Sequence, residues 1–300
     1  MTIRNTSERA GPLLMGIVNA TPDSFSDGGA HRDADAAIAH ALRLLDEGAD
    51  IIDIGGESTR PPGADYGAGS TTIPVEEELE RVIPVIAGLH RARPDATISI
   101  DTMKPEVARR AAAAGARIIN DVSAGSFDSG IWSVAAELGL PYILMHGHDP
   151  RNRVTADAVG YGDVVEEVFA FLRERIDAAR SAGVKDIIAD VGIGFAKGAE
   201  QNITLLREHK RFLDLGVPLL VGASRKSFIG RMLGGLPPEE RLYGTLAAHA
   251  AAAFNGASIV RVHDVRPARE FFTVLGRLLP AGGFTDPNRS SRGIGPPVSA

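Results

Sequence analysis

Two hydrophobic patterns take turns along the chain. Short apolar runs rich in β-branched residues occur at LLMGIVN (13–19), DIIDIGG (50–56), TISID (97–101), RIINDV (117–122), PYILMH (141–146), IIADVG (187–192), PLLVGAS (218–224) and IVRVHD (259–264). Each is too short for a helix and apolar at successive positions, the pattern of a strand covered on both faces. Between them apolar residues recur at helical spacing: Ile38, Ala41, Leu42 and Leu45; Leu79, Val82, Ile83 and Ile86; Val165, Val168, Leu172, Ile176 and Ala179. Gly48, Gly115, Gly139, Gly183 and Gly256 punctuate the ends of these stretches, as glycine does where a helix turns out of its last carbonyls. Eight strands alternating with helices imply parallel pairing, and that number predicts an α/β fold closed into a single (β/α)8 TIM barrel. An open doubly wound sheet would carry a Gly-rich fingerprint after its first strand; the chain has NATPDSFSDGG there.

Residues 13–279 form the expected barrel domain, close to the usual size of about 250 residues. Residues 1–12 read as a flexible N-terminal arm and 280–300, rich in Gly, Pro and Ser, as a disordered tail. PPGADYGAGSTTIP (61–74) reads as a long loop after strand 2, a place where lids are found. Composition narrows the function. The 300 residues carry no cysteine and a net charge of −6, which excludes a disulfide scaffold, a thiolate metal site and a Cys nucleophile and disfavours a nucleic-acid-wrapping surface. Without a spanning apolar stretch or a leader-like N-terminus, the expectation is a soluble, cytoplasmic protein with no membrane or nucleic-acid partner.

In such a barrel the chemistry lies at the C-terminal ends of the strands. In order these ends are Asn19; Glu57 with Ser58, Thr59 and Arg60; Asp101; Asn120; His146; Asp190; Ser224, Arg225 and Lys226; and Arg261 with His263. All eight are polar, which a core alone does not require. Asp101, Asn120 and Asp190 suit a flat heterocycle with adjacent N–H donors. Arg60, Lys226, Arg261 and His263, expected on the other side of the mouth, suit a phosphate or diphosphate. Other readings stay open at this point. Lys226 could form a Schiff base, its pKa lowered by Arg225. VGIGF (191–195) could cradle a phosphate, whereas GASRKS lacks the ending of a P-loop. His146 and His148 could hold a metal, and Phe25 and Phe195 could wall an aromatic substrate or simply fill core.

The rim segments MGIVNATPDSFSDGG (15–29), IDIGGESTRP (52–61), SIDT (99–102), INDV (119–122), MH (145–146), DVGIGFAK (190–197), GASRKSF (222–228) and RVHDV (261–265) resemble, in order, those of the dihydropteroate synthase family of pterin-binding barrels. The resemblance implies condensation of 6-hydroxymethyl-7,8-dihydropterin diphosphate with p-aminobenzoate, releasing pyrophosphate, with Mg²⁺ as cofactor and a homodimer as assembly. It assigns the pterin to Asp101, Asn120, Met145, Asp190 and Lys226. The diphosphate goes to Asn19, Arg60, Arg261 and His263, the metal to Asn19, and p-aminobenzoate to Phe25, Thr59, Arg60, Pro61, Phe195 and Ser227. Arg60, Lys226, Arg261 and His263 carry the catalytic roles. Departures from the family pattern are Ala20, Val191 in place of a proline, the longer loop after Pro61, and GHDPRNRV after His146. A methyl-transferring pterin barrel and a non-catalytic pterin-binding paralogue are the rival functions.

Overall fold

The computed structural model describes residues 11–20, 30–57, 72–147 and 160–279, with backbone alone at 30–32. Residues 1–10 and 280–300, most of the long loop after strand 2, and the site candidates Phe25, Thr59, Arg60, Pro61 and His148 lie outside the described residues.

Eight strands, β1 (Leu13–Asn19), β2 (Ile51–Gly55), β3 (Ile98–Asp101), β4 (Ile118–Asp121), β5 (Tyr142–Met145), β6 (Ile187–Asp190), β7 (Leu219–Val221) and β8 (Ile259–Val262), run parallel and close on themselves in sequence order. Leu13 of β1 lies beside Ile259 of β8, sealing the ring. The helices are α1 (Ala30–Asp46), α2 (Val75–Ala92), α3 (Pro105–Ala114), α4 (Gly130–Leu138), α5 (Val164–Ser181), α6 (Ala199–Arg207), α7 (Ser227–Met232), α8 (Leu242–Phe254) and α9 (Val265–Leu278). Two of them, α7 and α8, share the β7–β8 connection, one helix more than a strict alternation gives. None of the described helices is long and apolar enough to cross a membrane.

Closure explains why the strands read as apolar at every position. One face packs on the helices: Leu14, Val18, Ile52, Ile54, Ile98, Ile100, Ile119 and Leu144 belong to the large core between sheet and helices. The alternate positions point inward, where Leu13, Met15, Ile51, Ile118, Ile143, Ile188, Leu220 and Ile259 make a separate apolar plug. The helices follow their sequence stripes. Val165, Val168, Leu172, Ile176 and Ala179 of α5 are all buried, and Asp163 caps the helix by accepting from the N–H groups of Val165 and Glu166.

The strands are shorter than the sequence runs at their C-terminal ends. PLLVGAS contributes only Leu219–Val221 to β7 because the chain turns at once, Lys226 N–H donating to Ala223 C=O, with Arg225 at a positive φ of 58°. The run through β6 likewise stops at Asp190, ahead of Gly192 at φ 71°. The polar residues of the β7 run therefore belong to a loop on the rim, whereas Asp190 is the last residue of its strand.

Two buried polar groups tie rim to shell. Asp121 accepts from Ser123 N–H and Oγ, Gly125 N–H and the Tyr142 hydroxyl, which itself accepts from Trp132 Nε1. Lys104, at the start of α3, places its amine 2.5 Å from both Glu57, just beyond β2, and Glu78 of α2. All three side chains are nearly inaccessible to solvent. Removing one member of such a group leaves uncompensated charge in the interior, which costs about 3–5 kcal/mol. Lys104→Met is expected to lose about that much stability in chemical denaturation, and adding Glu78→Leu should recover part of it.

Candidate active site

The inward faces that make the plug continue upward into polar side chains. Two residues beyond Ile51 stands Asp53; two beyond Ile118 stands Asn120; Met145 and Asp190 follow Ile143 and Ile188, and Arg261 follows Ile259. These meet in one network. Arg261 Nε donates to Asp53 Oδ2 at 2.7 Å, and its Nη2 donates to Asp101 Oδ2 at 3.0 Å. Asn120 Nδ2 donates to the same Asp53 oxygen at 3.0 Å. Burial, reinforced by the neighbouring Asp53, pushes the Asp101 carboxyl up to about 8, against the pull of Arg261.

The β6–α6 loop forms one wall. Asp190 Oδ1 accepts from Gly192 N–H at 2.7 Å, yet burial still raises its carboxyl to about 6. Gly192 passes close beneath the His146 carbonyl: a Cβ there would lie 2.0 Å from that oxygen. The buried Lys197 amine holds the loop together by donating to the carbonyls of Gly192 (2.9 Å), Phe195 (3.0 Å) and His146 (3.4 Å). Its desolvation lowers its pKa to about 7. Gly194, at φ 80°, packs against the Lys226 side chain, whose amine sits 4.1 Å from the centre of the Phe195 ring, within cation–π range.

The β7 and β8 loops close the other wall. Arg225 N–H donates to Thr245 Oγ1, its carbonyl accepts from Arg241, and its guanidinium grips Asp264 with two bonds of 3.0 and 2.6 Å. His263 is held by Ser224, whose Oγ accepts from its backbone N–H at 3.2 Å and lies 3.0 Å from Nδ1. Burial, with Arg261 and Arg225 close by, lowers the His263 pKa to about 3, so the ring is neutral at pH 7. Lys226 is lowered to about 8, first by burial and then by Arg261.

Asp101, Asn120, Met145, Asp190, Phe195, Lys226, Ser227, Arg261 and His263 all belong to the barrel mouth, as their places in sequence imply; Asn19 ends β1 on the same rim, half-buried. The expected division of charge does not hold. Arg261 is bonded to the acids Asp53 and Asp101, and Lys226 feels Asp190 and Asp101, because inward positions of neighbouring strands converge at one level. Arg225 does not depress Lys226 as expected; its charge is spent on Asp264. Among the described residues no group of three or more acidic or histidine side chains is arranged to hold a metal. Asp53, Lys197, Glu78 and Asp264 escape the sequence reading. Asp53 alone left a signal there, a charged residue in the middle of an otherwise apolar run.

The family model described as "Pterin binding enzyme" matches residues 15–263, and the chain belongs to that family. A dihydropteroate synthase of Synechocystis sp. is 48% identical over 267 residues, covering 88% of this chain and 89% of that protein. A solved Xanthomonas albilineans dihydropteroate synthase with 4-aminobenzoic acid superposes with a TM-score of 0.81 at 49% identity, over 89% of this chain and 93% of that one. The same organism's enzyme in complex with 7,8-dihydropteroate gives 0.79 at 45% identity, over 93% and 95%. Within the family the chain stands with the dihydropteroate synthases, transferases of folate biosynthesis.

The approach of Gly192 to His146 gives a direct test of the loop. Gly192→Ala adds a Cβ at positive φ against a backbone oxygen, so it is expected to cost at least about 1 kcal/mol. Thermal melting should show a Tm lower by ~2 °C or more.

Proposed function

We propose that the mouth holds 6-hydroxymethyl-7,8-dihydropterin diphosphate with its ring against Asp101, Asn120, Met145, Asp190 and Lys226, and that p-aminobenzoate enters over Phe195 and Ser227. The observation that carries this reading is the convergence of Asp190 and Asn120, both able to accept, with Arg261 and Lys226 at one barrel mouth. An Asp carboxylate accepting two parallel N–H bonds matches the amino-pyrimidine edge of a pterin. Phe25, Thr59, Arg60 and Pro61 complete the p-aminobenzoate pocket in this reading, and Arg60, Arg261 and His263 face the diphosphate.

Magnesium fits the donor set as a substrate-held ion. Asn19 offers one amide oxygen at the end of β1, and Mg²⁺ characteristically keeps water and phosphate oxygens around few protein ligands. When bound, it would neutralise charge on the departing pyrophosphate.

The reaction needs no covalent nucleophile. The bond between the pterin methylene and the diphosphate oxygen breaks, pyrophosphate takes the electron pair, and the arylamine nitrogen forms the new C–N bond and gives up a proton to pyrophosphate or solvent. The reduced ring stabilises positive charge on the methylene, so the chain's work is to orient, to exclude water and to stabilise the leaving group. Neutral His263 serves as a fixed hydrogen-bond donor, and the Phe195 face with the Lys226 amine sets the aromatic wall. The enzyme pairs with a second copy through barrel helices in this reading. Met232 (63% exposed) at the end of α7, Leu233 just after it and Tyr243 (83% exposed) on α8 support such a contact. A cytoplasmic setting is in keeping with the absence of cysteine.

A coupled assay should show pyrophosphate release that requires both substrates; pterin binding without release would favour the non-catalytic paralogue. Arg261→Ala should lower kcat by about 100-fold, and near-wild-type turnover would remove Arg261 from the mechanism. Asp190 titrates near 6 and must be ionised to accept two bonds. Affinity for 6-hydroxymethylpterin, measured by calorimetry, should therefore hold above that pH and fall as pH drops through about 6. Asp190→Asn should bind weakly and without that pH dependence; unchanged affinity would refute the role.

A further inference from the structure

We propose that Asp53 is a positioning residue for pterin recognition, acting through Asn120 and Arg261 without meeting the substrate itself. Asp53 lies on the inward face of β2 with no solvent exposure, so the site residues above it cover it from the mouth. Its Oδ2 receives both Arg261 Nε and Asn120 Nδ2, while Oδ1 has no hydrogen-bond partner among the described residues. A single carboxylate oxygen thus fixes two side chains from β4 and β8.

The chemistry of the donors gives this contact its consequence. A guanidinium only donates, so Oδ2 of Asp53 is an acceptor, and the Asn120 group that faces it is the NH2. One N–H of the Asn120 amide is thereby committed to Asp53, which fixes the direction of the amide and leaves its oxygen and its second N–H to face a ligand. Without the Asp53 carboxyl the amide could turn and present either end. Held as it is, Asn120 offers an acceptor and a donor in set directions beside Asp190, and so reads one orientation of a ring edge. The bond to Nε likewise limits how the Arg261 guanidinium can rotate, since Nη2 is simultaneously held by Asp101. Asp53 would therefore be a specificity determinant for the amino-pyrimidine edge, one layer below the residues that contact it.

The proposal rests on Asn120 contacting the pterin, and the test separates the two ideas. Calorimetry with 6-hydroxymethylpterin would compare wild type, Asp53→Asn, Asn120→Ala and the double variant, with Tm recorded for each. Asp53→Asn is expected to weaken pterin binding about tenfold or more. KM for the pterin diphosphate should rise in parallel, while KM for p-aminobenzoate stays within about twofold. In the Asn120→Ala background most of the Asp53→Asn effect should disappear, because the partner it orients is gone. Additive effects, or equal losses for both substrates accompanied by a fallen Tm, would show a purely structural carboxylate and overturn the proposal. Unaltered binding in Asn120→Ala would instead overturn the assignment of Asn120 to the pterin. If Asp53→Asn does not fold, Asp53→Ala takes its place in the cycle; if neither folds, Asp53 is structural and the proposal fails.

Discussion

The constraint on which this structure depends is the two-residue period of a strand inside a closed ring. Once eight parallel strands close, every second side chain is committed to an interior that only its neighbours on the other strands can fill. At the lower level these are Leu13, Ile51, Ile118, Ile143, Ile188, Leu220 and Ile259, a dry plug. Two residues further along, the same faces carry Asp53, Asn120, Asp190 and Arg261, with Asp53 fully buried beneath the others. Asp53, Asn120 and Arg261 satisfy one another, and the Arg261 bonds to Asp53 and Asp101 are part of the result. The plug gives the floor its rigidity, and strand parity brings residues far apart in sequence within hydrogen-bond distance.

The outer loops solve a different problem, that of holding irregular backbone in place. The β6–α6 loop must pass under the His146 carbonyl and beside Lys226, which it does through glycines at 192 and 194 and the three-carbonyl grip of the Lys197 amine. The β7 and β8 loops are joined to each other by Arg225 and Asp264. Arg225 occupies a strained positive φ that its contacts with Thr245 and Arg241 over-determine. In this way Lys226 and His263, each next to a member of that ion pair, keep a fixed spacing although neither lies within a strand.

Much of this was legible before any coordinates. The alternation of buried strands and striped helices contains the barrel, since a parallel strand covered on both faces leaves an apolar run that nothing else at that length explains. The strand ends Asp101, Asn120 and Asp190 were legible as a rim because polar residues there have no role in the core. What sequence could not supply was pairing across the ring. Arg261 reads as a phosphate ligand when considered beside His263; only closure shows that it faces Asp53 and Asp101. Lys197 and Glu78 were opaque for the same reason, their partners being carbonyls and side chains set by loop geometry. The extra helix α7 was hidden by its brevity, six residues giving too little periodicity to register.

That pairing changes how the site divides its electrostatic work. Burial and the neighbouring Asp53 favour the neutral form of the Asp101 carboxyl, and the guanidinium of Arg261 is engaged by both of these acids. A floor whose charges are paired suits an uncharged bicyclic ring, whose edge is read by groups of fixed orientation. In the proposed reading Arg261 meets the diphosphate with part of its charge already engaged by Asp53 and Asp101. His263 and the residues at the end of β1 then share the work of holding the leaving group. In the proposed reading, ring recognition and leaving-group stabilisation occupy successive levels of one barrel: the ring deep, where strand parity makes the geometry rigid, and the charge nearer solvent, where pyrophosphate has to depart.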